Sequence, residues 1–399
     1  MKRFAFPLGV LAAAVAACLT HAGSLGAPFF ADDWLFLDQV RFRSLLHVLA
    51  SPDPLGNYFR PLGRQLWFWI FARLGGESPL VFHAANLACL VAAVVLLALL
   101  ARRVAGPFAG VVAAAFLAVH YAADVPVLWV SGSQELLSLT LALAALNLYV
   151  NGRRASSAVL MFMALLAKEA VVLAPLTAIA LDATPGGWRL RARRAWPLGV
   201  AVAVWLVLAA WAMARRGAPG AGIALTPLGP FVAPLLLARV ALGLEWQTGA
   251  LPLTRFTDPG RASLVALLVA AAAAWFAAPK SVARPAAKPL ARPARGARRA
   301  VAPPAAPPTA PGASVATSER PRDAAHAVRA GLVWALAGAL PVAAVAPAWS
   351  AYYFLFAIAG VGLMLGALAT QLRWRGPATA ALLIATGFAS TQARGLEEF

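Results

Sequence analysis

Uncharged apolar runs punctuated by short basic turns organise this sequence from end to end. The hydrocarbon core of a membrane is about 30 Å thick, so a crossing helix needs about 20 such residues. Runs at about 4–22, 80–101, 104–121, 133–150, 196–214, 261–278, 328–347, 352–370 and 377–393 are read as spans on that ground. Residues 155–183 break the pattern. They hold two apolar pieces of about 13 residues each, interrupted by Lys168-Glu169 and flanked by basic residues. At 1.5 Å per residue each piece reaches only ~20 Å, which predicts a pair of short helices meeting near the outer side of the membrane. The expectation is an all-α polytopic membrane protein with about eleven transmembrane helices.

The polar stretches set the orientation. Lys2 and Arg3 precede the first run, which is read as an uncleaved anchor with its N-terminus in the cytoplasm. Arg102-Arg103, the turn 151–154 and the turn 373–375 then all fall inside, as the bias of Lys and Arg toward inner loops requires. Residues 23–79 form a long first periplasmic loop carrying interfacial helices. Within it, 60–76 sets cations at positions 60, 64 and 73 around an aromatic-rich centre, which suits a helix lying in the interface plane. Residues 215–260 are interrupted by Pro and Gly and belong mostly to the outer surface, with 231–244 an interfacial or re-entrant helix. Residues 280–326 are rich in Pro and Ala, carry nine Lys/Arg against two acids and lack a hydrophobic period, predicting a disordered cytoplasmic linker. The chain thus divides into a transmembrane module 1–279, the linker 280–326 and C-terminal transmembrane helices 327–399.

Composition agrees with this division. Hydrophobic residues make up 61% of the chain and charged residues 12%, about half the charged share of soluble domains. A net charge of +19 would point a soluble protein toward nucleic acid; here the basic loops account for it, and no nucleic-acid partner is expected. Cys18 and Cys89 fall inside apolar runs and read as small packing residues. The acids are asymmetric. Ten precede the linker on the outer side, whereas only Asp182, Glu319 and Asp323 fall inside, so any acidic chemistry faces out.

Four groups of residues can carry chemistry. Asp32 and Asp33 stand in FFADDWLF, where adjacent carboxylates repel and an interfacial setting raises the cost of charging both. Either they form a solvated turn, or one is a general base on a membrane-surface loop; neighbouring side chains diverge, so both reach one substrate only at different parts of it. Arg60 and Arg64, one helical turn apart, either snorkel to headgroups or clamp a lipid phosphate with their forked donors. Lys168 and Glu169 lie at membrane depth, where an ionisable residue costs at least ~2.5–3.5 kcal/mol by insertion scales and usually marks function. They either pair with each other to pack helices, or Lys168 faces the outer cavity and neutralises a leaving phosphate. His120, Asp124, Trp129, Ser131, Gln134 and Glu135 cluster between two spans, with Ser131 or Ser133 read as a cap for the helix containing Glu135. No zinc-type spacing, P-loop or nucleophile elbow is present, and no metal ligand is assigned.

The order of motifs over about residues 25–183 resembles the GT-C superfamily, integral-membrane glycosyltransferases that use polyprenyl-phosphate sugars. ADDW, NYFRPL, HAANL (83–87), AVHYAADVPVLWVSGSQELL and LLAKEA together look like its protein O-mannosyltransferase-like branch and bacterial relatives, although Tyr121 follows His120 where relatives often have proline. The resemblance implies an outer-loop carboxylate as catalytic base, matching Asp32 or Asp33. It implies basic residues holding the donor phosphate, matching Arg60 and Lys168 with Arg64 beside them, and Glu169, His120, Trp129, Gln134 and Glu135 supporting the cavity. The implied activity is inverting transfer of a sugar from a polyprenyl-phosphate donor to an envelope acceptor (protein, lipid or glycan) on the periplasmic face of a bacterial inner membrane. No cofactor is required, a divalent metal being an alternative to the cations, and membrane lipids are the remaining partners. The competing class is a transporter or flippase of lipid-linked glycans, which should show paired discontinuous helices in two related halves; 155–183 is the one broken pair the sequence offers.

Overall fold

The computed structural model describes residues 4–56, 58–215, 227–243, 324–344 and 350–371, with 380, 381 and 384. Among these, every regular element is helical. A 16-residue apolar helix, α1 (Ala5–Thr20), comes first. The long loop then folds as α2 (Asp33–Val40), α3 (Leu45–Ala50), a π-helical turn at Leu62–Leu66 and α4 (Trp67–Gly75). Prolines at 52, 54 and 61 keep these pieces short. They share a small core of their own, with Phe29, Phe36, Trp67 and Phe68 packed around Phe82.

α5 (Pro79–Ala105) starts with proline in its first turn and stops at Gly106, whose φ of +103° ends the helix. Its 27 residues reach about 40 Å. α6 (Pro107–Ala118) returns, breaks at Val119-His120, and resumes through a turn at Tyr121–Ala123 and α7 (Asp124–Leu128) after a 54° bend. α8 (Ser133–Val150), α9 (Arg154–Ala167), α10 (Ala174–Leu181), α11 (Gly187–Ala214) and α12 (Gly229–Ala241) follow. α13 (Ala324–Ala339) and α14 (Leu355–Gln371) complete the described bundle.

Five helical stretches are long and apolar enough to cross a membrane: Pro79–Ala105, Val130–Val150, Gly187–Ala214, Ala324–Ala344 and Ala351–Gln371. The bent α6–α7 pair makes six if it counts as one span. The expectation near eleven also included α1, α9 and α10, which are apolar but shorter, and 261–278 and 377–393. The first of those two stretches lies outside the described residues, as does the second apart from 380, 381 and 384; most of the expected linker lies outside them too. Two boundaries move. α11 begins at Gly187, well before 196, because the arginines of 189–194 are good helix formers and make up its first turns. α13 begins at Ala324, inside the end of the stretch expected to be linker.

α5 packs on α1, α6, α8 and α14, while α9 lies against α8 and α11. α13 and α14 pack tightly against each other. A Cβ on Gly331 would fall 2.7 Å from the Met364 nitrogen, so only glycine permits that spacing. Two ends of the bundle result. At one, the starts of α5 and α8, the α9–α10 break and the first loop converge. At the other, α5 and α8 end and α9 and α11 begin.

Candidate functional site

Ala31 has φ +50°, a left-handed conformation that costs a residue with a Cβ about 1–2 kcal/mol. The turn it makes sends the next two side chains in different directions. Asp33 turns inward and is fully buried. Its Oδ1 accepts from the Ser131 backbone N–H at 2.8 Å and from Ser131 Oγ at 2.5 Å, and its Oδ2 accepts from Phe30 N–H at 3.2 Å. Burial pushes the Asp33 carboxyl up, and those hydrogen bonds only partly oppose it. Asp32 occupies the N-cap position of α2 but makes no capping bond. Its carboxylate is left half-buried on the wall of a cavity. Burial raises its pKa from the ordinary value of 3.8, against the pull of the Arg64 guanidinium and with a push from the Asp53 carboxylate.

The cations are inside the protein, not at headgroups. Arg60 and Arg64 are 5% and 3% exposed, because the π-helical turn lies against the starts of α8 and the α9–α10 break. Arg60 donates from Nε to Glu169 Oε2 at 2.8 Å, from Nη2 to Glu169 Oε1, and from Nη1 to Gln134 Oε1 at 2.8 Å. Arg64 donates from Nε to the same Gln134 oxygen at 3.0 Å and from Nη1 to both Asp53 oxygens at 2.9 and 2.8 Å. The Tyr58 ring lies 3.8 Å from the Arg60 guanidinium carbon and 5.2 Å from that of Arg64. Lys168 and Glu169 do not pair with each other. Lys168 has an extended backbone, φ −162° and ψ 143°, so the two side chains part: Glu169 takes Arg60, and Lys168 Nζ takes Glu135 Oε1. Ser138 Oγ fixes the break by donating to the Lys168 carbonyl at 3.2 Å. An ammonium has three donors. Among the described residues Glu135 is the one hydrogen-bond partner of Nζ, whose other face looks onto the rings of Tyr353 at 4.9 Å and Tyr352 at 5.7 Å.

These residues surround a cavity of about 220 Å³. Asp32, Arg60, Arg64, Trp129, Gln134, Lys168 and Glu169 line it, together with Tyr58 and, from the far half of the chain, Pro341, Tyr352 and Tyr353. Glu135 stands behind Lys168. His120 is not on the wall: its Nδ1 accepts from Ala122 N–H at 3.2 Å, and its ring stacks on Tyr121 at the α6–α7 break. Ser131 and Ser133 do not cap α8, whose N-cap is Gly132 without a side-chain bond; Ser131 holds Asp33, and Ser133 Oγ donates to the Gly63 carbonyl at 3.1 Å. His83 and Asn86 of the HAANL stretch face the backbone carbonyls of Ala27 and of 126–130, tying the start of α5 to the α7 segment.

Sequence reasoning missed Asp53, Tyr58, Tyr352 and Tyr353. Asp53 and Tyr58 carried a signal, being polar residues within a dozen positions of Arg64, whereas the tyrosine pair carried none beyond an aromatic start to a span. The cluster sets Arg60, Arg64 and Lys168 against Asp53, Glu135, Glu169 and Asp32. Of these carboxylates only Asp32 is outside an ion pair among the described residues. It is therefore the group able to accept a proton without dismantling a buried pair. Among the described residues no three His, Cys, Asp or Glu side chains converge as a metal site. Compared with known proteins, the chain matches no family model, no curated protein and no solved structure.

Proposed function

We propose that the protein is a membrane glycosyltransferase of GT-C-like architecture with about eleven spans, moving a sugar from a polyprenyl-phosphate donor to an envelope acceptor on the outer face of a bacterial inner membrane. The observation that carries this reading is the half-buried Asp32 carboxylate, outside any ion pair among the described residues, across one cavity from Lys168. An acceptor hydroxyl is a weak nucleophile at neutral pH, and a positioned carboxylate can take its proton as the new C–O bond forms. The anomeric C–O bond to phosphate breaks as the new one forms, and its electron pair leaves with the phosphate. The spare donors of Lys168 suit that developing charge. Arg60 and Arg64, tied to Glu169, Gln134 and Asp53, hold the wall rigid and add positive potential. A volume of about 220 Å³ is below the ~300–1,000 Å³ of most ligand pockets and favours a single sugar ring over an oligosaccharide. Asp33 positions the loop and is not the base.

Asp32→Asn tests the reading with purified protein, a labelled polyprenyl-phosphate sugar and an envelope extract. General-base assistance contributes about 10²–10⁴-fold, and turnover should fall by that order while donor binding persists. Transfer at the wild-type rate would sink the proposal. One observation favours the transporter alternative: the α6–α7 break at His120 joins the α9–α10 break as a second discontinuous helix. In that case Asp32→Asn would leave no transfer activity to lose, and lipid-linked glycan movement across proteoliposomes would be the readout.

A further inference from the structure

A second cavity of about 750 Å³ lies at the other end of the bundle. Its charge is of a different kind. Arg103 of α5, Arg154 of α9, Arg191 and Arg194 of α11 and Arg329 of α13 converge on it, and Asp182 is the single carboxylate on its wall among the described residues. The first cavity balances its cations pair by pair; here Arg103, Arg154 and Arg191 have no carboxylate in an ion pair among the described residues. A bias of basic residues toward one side of a membrane accounts for arginines in these turns. It does not account for four helices aiming them at one space.

The wall is also built. Asp182 is buried, accepts from Thr184 N–H at 2.9 Å and from Tyr149 Oη at 3.4 Å, and holds Arg194 Nε at 3.3 Å. Arg194 also donates to Thr184 Oγ1, and Arg191 Nε donates to the Thr184 carbonyl at 3.3 Å. The first two turns of α11 are thereby fixed with their guanidinium groups on the cavity. Val104, Val150 and Leu181 give it an apolar flank. Forked guanidinium donors match phosphate oxygens, and the apolar flank matches the start of an acyl chain.

We propose that this cavity binds the phosphate of an anionic phosphate ester, seated among the arginines with any lipid chain running along Val104 and Leu181. The test uses the full chain in a neutral detergent, with native mass spectrometry and thermal unfolding as readouts. Phosphatidylglycerol should be retained and raise the melting temperature, and phosphatidylcholine should not. Arg103→Gln with Arg191→Gln should weaken phosphatidylglycerol binding about tenfold or more. Arg189→Gln with Arg193→Gln, on the same helix but outside the cavity, removes equal charge and should change binding by less than about twofold, because only diffuse attraction is lost. Inorganic pyrophosphate distinguishes the sources. If it displaces the lipid at comparable concentration, a soluble phosphate ester is the occupant; if the lipid resists it, the chain contributes and a phospholipid is the occupant. Equal retention of phosphatidylglycerol and phosphatidylcholine by the wild-type protein, without pyrophosphate binding, overturns the proposal. So does an equal loss in the two double variants.

Discussion

Gly63 is where the first loop touches both α8 and the end of α9, and adding one methyl group there tests how the cavity is held. A Cβ at Gly63 would sit 2.5 Å from the Ala167 carbonyl oxygen, 2.8 Å from Gln134 Cβ and 3.0 Å from Gln134 Cα. Two of those atoms are backbone and none is the free end of a flexible side chain, so relief requires moving the whole turn Leu62–Leu66. Ordinary contact begins at 3.4 Å, so the closest approach must open by 3.4 − 2.5 = 0.9 Å. The same turn carries Arg64 and follows Arg60, whose bonds to Gln134 are 3.0 and 2.8 Å. Stretching either by that amount takes it beyond the 2.7–3.2 Å range of a working hydrogen bond. Overpacking of this kind costs about 1–3 kcal/mol. At about 2–4 °C per kcal/mol, Gly63→Ala should melt roughly 2–12 °C below wild type. Tryptophan fluorescence of the detergent-solubilised protein measures this. Gly23→Ala is the control, since nothing lies within 4 Å of a Cβ there. A Gly63→Ala protein that melts with wild type and turns over normally would refute the close-packing account of the site.

Three further outcomes are expected. The Asp32 carboxyl titrates above 3.8 and acts in its ionised form, so the acid limb of the pH–rate profile should lie above pH 3.8, with activity lost as pH falls through it; a limb at or below that value argues against Asp32 as base. Asp33→Ala leaves the buried donors of Ser131 and Phe30 without an acceptor, at about 1–3 kcal/mol for each unsatisfied group, and Asp33→Asn should recover part of the stability; identical melting of all three proteins would show that the loop does not depend on this anchor. Lys168→Met strands Glu135 in a buried site and should cost about 3–5 kcal/mol, whereas adding Glu135→Leu should restore most of the melting temperature without restoring turnover. A double variant no more stable than the single one would show that the pair does not act as a unit.

The long spans were legible because bilayer thickness imposes a length that an uncharged run either meets or does not, as α5 and α11 do. The α9–α10 break was legible because Lys168-Glu169 interrupts such a run. The end of α6 near His120 was legible too, but the helical turn and α7 that resume after it were not, since that stretch was read as the gap between two spans. Arg60 and Arg64 read the same from sequence whether they snorkel or pair, and the acceptors that decide it, Gln134 and Glu169, lie 74 and 109 positions from Arg60. Asp32 and Asp33 could be recognised as a divergent pair but not ranked, because the ranking depends on Ser131, which approaches from 98 residues away.

Those separations have a meaning for how the protein is made. Ribosomes deliver roughly 5–20 residues per second, so Glu169 emerges roughly 5–20 s after Arg60, given the 109 residues between them. Arg64 does not wait in the same way, since Asp53 is only 11 positions earlier and already synthesised. The loop thus enters its compartment with one cation neutralised from within and the other still hydrated. The Arg60 pair closes only when the α9–α10 break arrives, and the order of assembly is written into which arginine carries its own counter-ion.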